Sequence, residues 1–278
     1  MLFKKTILHK VHFTGIGVHS GKKINLWIQP SESGKIVFQR TDQGNATVVL
    51  DAEKIQSMHN TSLIQEKFKV RTIEHLMAAL YVLGINSVLI KINGEEVPIL
   101  DGSALPFFEE IKKAGNQKLS QKSKTLYIKK SFRIKKNGAL MDIQPHDTLK
   151  ITYIINYNHP CIGKQELTLD IDPATFETDV APARTFGYLK DAEMLRKQNL
   201  ALGSSLDNTL VLDPEKIINP PLRFKDEFVR HKILDLIGDL SLLNQNIKGY
   251  FRAEKGGHDL HLKTVRFLLK NKNNWKIK

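Results

Sequence analysis

Cysteine is almost missing: Cys161 is the only one in 278 residues. A single thiol excludes an intramolecular disulfide and fits a reducing cytosol. It also leaves any metal site to His, Asp and Glu, which points away from structural zinc of the Cys type. Long apolar runs are absent too, since none reaches the roughly 18 residues needed to cross a bilayer. The chain enters patterned sequence at Met1-Leu2-Phe3-Lys4 without the apolar core of an export signal, so a cytoplasmic location is expected. Acidic residues are outnumbered, 29 against 42 Lys and Arg, for a net charge of +13. That excess favours an anionic partner. The lysines are scattered, however, and no Arg-rich run carries interleaved aromatics, so nucleic acid is not the expected partner.

The chain is long enough for one large domain or two ordinary ones, and 41% hydrophobic residues suffice for a real core. Residues 6–50 alternate short apolar runs with turn signals and read as a meander of strands. Its H-F-T-G-I-G-V-H-S-G segment holds His12 and His19, but no helix follows the Gly-x-Gly, so nucleotide binding is not implied. Residues 72–83 read as a buried helix, apolar nearly all round, with Thr72 as N-cap and Gly84 as terminator. Ser103 caps a second helix, and the lysine-rich stretch 117–124 reads as a linker. Beyond it, strands are expected at 126–134, 139–143 and 149–155, a short helix at 189–197, a long helix at 225–243, a strand at 247–253 and a last helix after Gly256-Gly257-His258. Each half ends as helix, strand, glycine turn, helix. This predicts an α+β fold of two similar units, residues 1–120 and 125–278, each a sheet with two helices and packed helix face to helix face.

The chemistry gathers on two helices. His231, Asp235 and Asp239 recur at i, i+4 and i+8 and so line one face of the long helix, with Gly238 leaving that row open to approach. Alone, a His and an Asp one turn apart are an ion pair on a wet helix. Glu74 and His75 shift that reading, because neither can sit unpaired in a dry interior. If the halves pair about a pseudo-twofold axis, His75 meets His231 and Asp235. That is an N, N, O donor set of the kind that leaves a zinc ion one position for water and makes that water acidic. Glu74 is then placed as general base. His258, at a helix start that disfavours imidazolium, needs a carboxylate to act as acid, and Asp239 is the candidate. Thr185 could offer a hydroxyl to an oxyanion.

The fragments I-E-H-L-M-A-A-L, E-V-P-I-L-D-G-S-A, A-R-T-F-G, G-S-S-L-D-N-T-L-V-L and V-R-H-K-I-L-D-L-I-G-D-L, ending in G-G-H, resemble in this order the UDP-3-O-acyl-N-acetylglucosamine deacetylases of lipid A synthesis, from about His12 to about Leu269. The resemblance implies a zinc-dependent amidase that removes acetyl from a UDP-linked acylated amino sugar, the committed step towards lipid A. It implies zinc, with iron(II) as a substitute, on His75, His231 and Asp235. Glu74 becomes the base, His258 with Asp239 the charged partner, and Thr185 the group that polarises the carbonyl. Phe186, Asp191 and Lys232 line the sugar and nucleotide region, and a βαβ piece near 186–212 forms an acyl passage. A monomer with at most peripheral membrane contact is expected. One position departs from the family pattern: His261 stands where Asn is usual, on nearly the face that carries His258.

Overall fold

The computed structural model describes residues 2–57 and 60–277. The N-terminal alternation folds into β1 (Phe3–Ile7), β2 (Val11–Ile16), β3 (Lys23–Pro30), β4 (Ile36–Arg40) and β5 (Ala46–Val49). In β3, Ile24, Leu26 and Ile28 point inward while their neighbours stay partly wet, the period-2 pattern of a sheet with one packed face. Three short strands, β6 (Ile55–Ser57), β7 (Thr61–Gln65) and β8 (Phe68–Val70), form a separate antiparallel sheet leading into α1 (Glu74–Val82). β9 (Val88–Ile92) then slots between β3 and β4, giving the order β2-β3-β9-β4-β5, and α2 (Leu105–Lys113) packs beside α1.

Two expectations need correction here. Thr72 does not cap α1: its φ is +55°, and its hydroxyl donates to Glu96 Oε1 at 3.1 Å, because Glu96 is itself buried and needs donors. The stretch read as a linker is a strand, β10 (Asn116–Lys122), whose backbone pairs antiparallel with β1, leaving its lysines free to face solvent. Ser103 does serve the start of α2, accepting from the Leu105 N–H at 3.2 Å.

The second half opens with β11 (Thr125–Ile128), β12 (Phe132–Lys136), β13 (Ala139–Gln144), β14 (Leu149–Tyr157) and β15 (Gly163–Asp170). The single strand expected over 126–134 is thus two, because Lys129 and Lys130 turn their N–H groups to the Asn274 carbonyl. A turn of helix, α3 (Pro173–Thr175), precedes β16 (Phe186–Tyr188), α4 (Leu189–Lys197) and β17 (Leu210–Leu212), and β16 and β17 are parallel with Phe186 opposite Leu210. α5 (Glu227–Leu240), β18 (Asn246–Glu254), α6 (His258–Lys270) and β19 (Trp275–Ile277) complete the chain. β18 is the hub of this larger sheet, antiparallel to β13 and parallel to both β14 and β11.

Each half therefore offers a sheet and a helix pair, α1 with α2 and α5 with α6, and α1 lies directly on α5. Leu76, Met77 and Leu80 of α1 join Ile233, Leu236, Ile237 and Leu240 of α5 in one continuous core. Each such side chain contributes about 1.5–3 kcal/mol by leaving water. The helices touch at Gly238, where a Cβ would stand 2.2 Å from the Glu74 carbonyl oxygen and 2.8 Å from its carbon. The opening that the sequence suggests beside the polar row is filled by the α1 backbone, and this contact fixes the distance between the two helices.

Gly238→Ala tests that contact. Helix propensity alone favours alanine by about 1 kcal/mol. We expect instead a net loss of about 1–3 kcal/mol from overpacking, read as a lower urea midpoint at unchanged m-value. A stabilised variant would show that the helices are free to separate.

Candidate metal centre and catalytic cavity

The seam between α1 and α5 buries an unusual concentration of ionisable groups. Glu74 and His75 open α1, while His231, Asp235 and Asp239 lie along α5, and all five are almost wholly enclosed. Asp235 Oδ1 is 3.4 Å from His231 Nε2 and 3.8 Å from His75 Nε2. The three donor atoms lie within 4.8 Å of one another. Tetrahedral coordination at about 2.0–2.1 Å spaces ligand atoms roughly 3.3 Å apart, so the triangle is close to one that a single ion would fill.

The surrounding groups favour that use. His231 Nδ1 faces the Ala183 carbonyl at 3.1 Å, which places its proton there and turns the Nε2 lone pair to the cluster. Burial first, and the neighbouring imidazole second, push His75 down to about 3, while burial also lowers His231, so both rings are neutral and able to ligate. His75 Nδ1 is buried with no hydrogen-bond partner among the described residues. Burial alone would raise Asp235, but the Lys232 ammonium, 2.9 Å from Oδ2, and the charged His258 ring hold it ionised. Neutral imidazoles around an anionic oxygen suit a divalent cation.

Glu74 sits beside this triangle. Its Oε2 accepts the Thr61 N–H at 3.0 Å and its Oε1 is 3.7 Å from His258 Nε2. Burial raises its carboxyl to about 8, opposed by His258. His258 is brought in by the first turn of α6. Its Nδ1–H donates to Asp239 Oδ2 at 2.8 Å, and its Nε2 points to Glu74 and to Asp235 Oδ2, 3.9 Å away. Burial would depress His258, but Asp239 and Asp235 override it and bring the imidazole up to about 10. The carboxylate thus outweighs the unfavourable helix N-terminus.

The remaining residues singled out in the sequence line a cavity of 840 Å³ that opens from this cluster. Thr185 is fixed on both sides, its N–H to the Gly102 carbonyl and its carbonyl to the Leu210 N–H, each at 2.8 Å. Phe186 stands edge-on to Phe228 with the Lys232 ammonium 5.4 Å from its ring, and Asp191 enters from α4. Apolar walls come from Ile99, Leu195, Val211 and Ile218. His19 also lines the cavity, whereas His12 is stacked on Trp27 at the surface.

Three contributors escaped the sequence reading. Thr61 donates its hydroxyl to Asp239 Oδ1 and lies 3.2 Å from His258 Nδ1. Nothing in its strand-like run marks it. Glu227, wholly buried in the first turn of α5, accepts the Arg184 side chain at 2.8 Å, the Arg184 N–H at 3.0 Å and the Arg223 N–H at 2.6 Å. This clamp sets the Thr185–Phe186 segment beside His231. An acidic residue one turn before His231 on α5, with an Arg beside Thr185, is a signal that could have found it. Glu96 grips the His19 and Ser20 N–H groups at 2.9 and 2.8 Å, which holds the loop over the cavity.

Comparison with known proteins identifies the family. The chain is 44% identical over 270 residues to a UDP-3-O-acyl-N-acetylglucosamine deacetylase of Thermodesulfovibrio yellowstonii, covering 97% of this chain and 92% of that one. It is 42% identical to the protein of that name from Geotalea uraniireducens, over 100% and 92% of the two chains. With the one from Histophilus somni it shares 40% over 100% and 93%. The family description "LpxC: UDP-3-O-acyl N-acetylglycosamine deacetylase" matches residues 4–270, so the chain belongs to that family of deacetylases.

Proposed function

We propose that this chain hydrolyses the N-acetyl group of UDP-3-O-acyl-N-acetylglucosamine, releasing acetate and the free amine for lipid A biosynthesis, with one zinc ion held by His75, His231 and Asp235. The observation that carries the reading is the meeting of that donor triangle with Glu74 across the α1–α5 seam, at the floor of a cavity with apolar walls. The N, N, O donor set suits zinc and also accepts iron(II). A divalent cation there supplies Lewis acidity, which makes water more acidic and the acetyl carbonyl more electrophilic.

The chain's own residues divide the proton work. Glu74 takes a proton from the attacking water as the water oxygen adds to the acetyl carbon. When the C–N bond breaks, the imidazolium of His258 gives its Nε2 proton to the departing amine, and Asp239 stabilises that charge from the Nδ1 side. The Thr185 hydroxyl donates to the carbonyl oxygen as it gains charge. Lys232 offers an ammonium to a phosphate, and Phe186 and Asp191 border the sugar. The acyl chain runs between α4 and β17. No helix among the described residues is long and apolar enough to cross a membrane. The proposed enzyme is a cytoplasmic monomer that touches the bilayer only peripherally.

Metal content and rate should separate the roles. Elemental analysis is expected to find one zinc per chain in the wild type and none in His75→Ala. Glu74→Ala should keep the metal and lose acetate release by about 10²- to 10⁴-fold, the range for a positioned base. Activity that survives Glu74→Ala would remove the base.

The pH profile of kcat/KM should be a bell. Glu74 must be ionised, so activity rises with pH through its pKa, and a bound cation places that limb below the about 8 set by burial. His258 must be protonated, so activity falls as pH passes about 10. His258→Ala should lower the plateau and abolish the alkaline limb; an alkaline limb unchanged by that substitution would reassign the acid.

A further inference from the structure

Two buried groups behind the site have no part in the chemistry above: His261, one turn along α6 from His258, and Tyr153 on β14. Both are fully enclosed. His261 Nδ1 lies 2.8 Å from Asp239 Oδ2, the same oxygen that His258 Nδ1 reaches at 2.8 Å. The other ring nitrogen, Nε2, is 3.0 Å from the Tyr153 hydroxyl, with the two rings perpendicular at 5.8 Å. The same hydroxyl lies under the glycine turn that delivers His258, since a Cβ on Gly256 would come within 2.7 Å of it.

These contacts leave little choice of tautomer. A nitrogen 2.8 Å from a carboxylate carries a proton, so Nδ1–H of His261 donates to Asp239. The Tyr153 phenol, kept protonated by burial, has its hydrogen to give, and Nε2 is the acceptor within reach. We propose that His261 is a positioning residue for the reaction: neutral, its Nε2 capped by the Tyr153 hydroxyl, it gives Asp239 a fixed Nδ1–H that orients the carboxylate towards His258. Asp239 then receives three donors, with the Thr61 hydroxyl on Oδ1 and the two imidazoles on Oδ2. A carboxylate held this way cannot rotate, and the His258 ring inherits its orientation. His261 is no second acid, because its Nε2 faces Tyr153 and not the cavity. Nor do Asp239, His258 and His261 form a second metal site, although their ligand atoms are close enough to suggest one. Their short N–H to oxygen contacts are already complete as hydrogen bonds.

The test uses the full-length metal-loaded protein. Nitrogen NMR of its histidines should show His261 protonated on Nδ1 and bare on Nε2 throughout about pH 6 to 9, a range in which a free imidazole titrates. Tyr153→Phe should leave the proton on Nδ1, where Asp239 holds it, and shift the Nε2 resonance as its hydrogen bond is lost; an Nε2 resonance that does not move would overturn the cap. His261→Leu should lower kcat by about 10- to 100-fold, as loss of an orienting partner does elsewhere. KM should stay within about threefold, the mark of an interaction made in the transition state. His261→Asn, whose amide can occupy the Nδ1 position, should recover most of that loss. Proton uptake by His261 in that pH range would overturn the proposal. So would an Asn variant as slow as the Leu variant, or a second metal ion per chain that disappears in His261→Asn. The spectrum and the Asn variant decide the matter even if the Leu variant fails to fold. The kinetic arm rests on the proposed deacetylation, so a wild type that releases no acetate removes that reading while the tautomer measurement still stands.

Discussion

A buried charge must be met by another charge, a hydrogen-bond donor or an ion, and the α1–α5 seam is built on that requirement. Taking a carboxylate out of water costs several kcal/mol even after relaxation. Glu74, Asp235 and Asp239 all lie in this seam. Each has a specific answer: the Thr61 amide for Glu74, Lys232 for Asp235, and Thr61 with two imidazoles for Asp239. His75 Nδ1 has no hydrogen-bond partner among the described residues, and its Nε2 stops 3.8 Å from Asp235 Oδ1, beyond hydrogen-bond reach. The seam is therefore balanced except at one point, and that point is where a cation fits.

The requirement also explains why so much of the structure is rigid near the site. Gly238 lets α5 touch the α1 backbone at Glu74, which sets the two helices at the one spacing where their donors converge. Glu227 uses both carboxylate oxygens to clamp Arg184 and the Arg223 backbone, so the segment carrying Thr185 cannot drift. These contacts lie outside the chemistry, yet they determine whether the reacting groups face one another. Groups held within about half an ångström of their working positions need this kind of support.

Much of this was legible in the residue order, for identifiable reasons. A periodic row such as His231, Asp235 and Asp239 on a long amphipathic helix shows which side chains share a face, and a charged pair inside an apolar helix shows that a partner must exist. The α+β architecture with paired helices follows from the rhyme between the halves. What was not legible depends on contacts between distant segments. Thr61 is an ordinary strand residue until α5 and α6 arrive beside it. Gly238 looks like an open face until α1 covers it. The lysine-rich stretch looks like a linker because its side chains are polar, but strand pairing with β1 is a backbone matter that side-chain composition does not encode. Thr72 has the right chemistry for a cap, yet the buried Glu96 claims its hydroxyl.

α4 has a different standing from every other long helix here, because none of its nine residues is buried. Its inner side, Ala192 and Leu195, borders the cavity and is only partly buried. A fatty chain lying in that space would bury more of this helix face. Under the proposed function the guest would be structural material in that corner: the tail would complete a wall of the fold, and the fold would in return shield the tail from water.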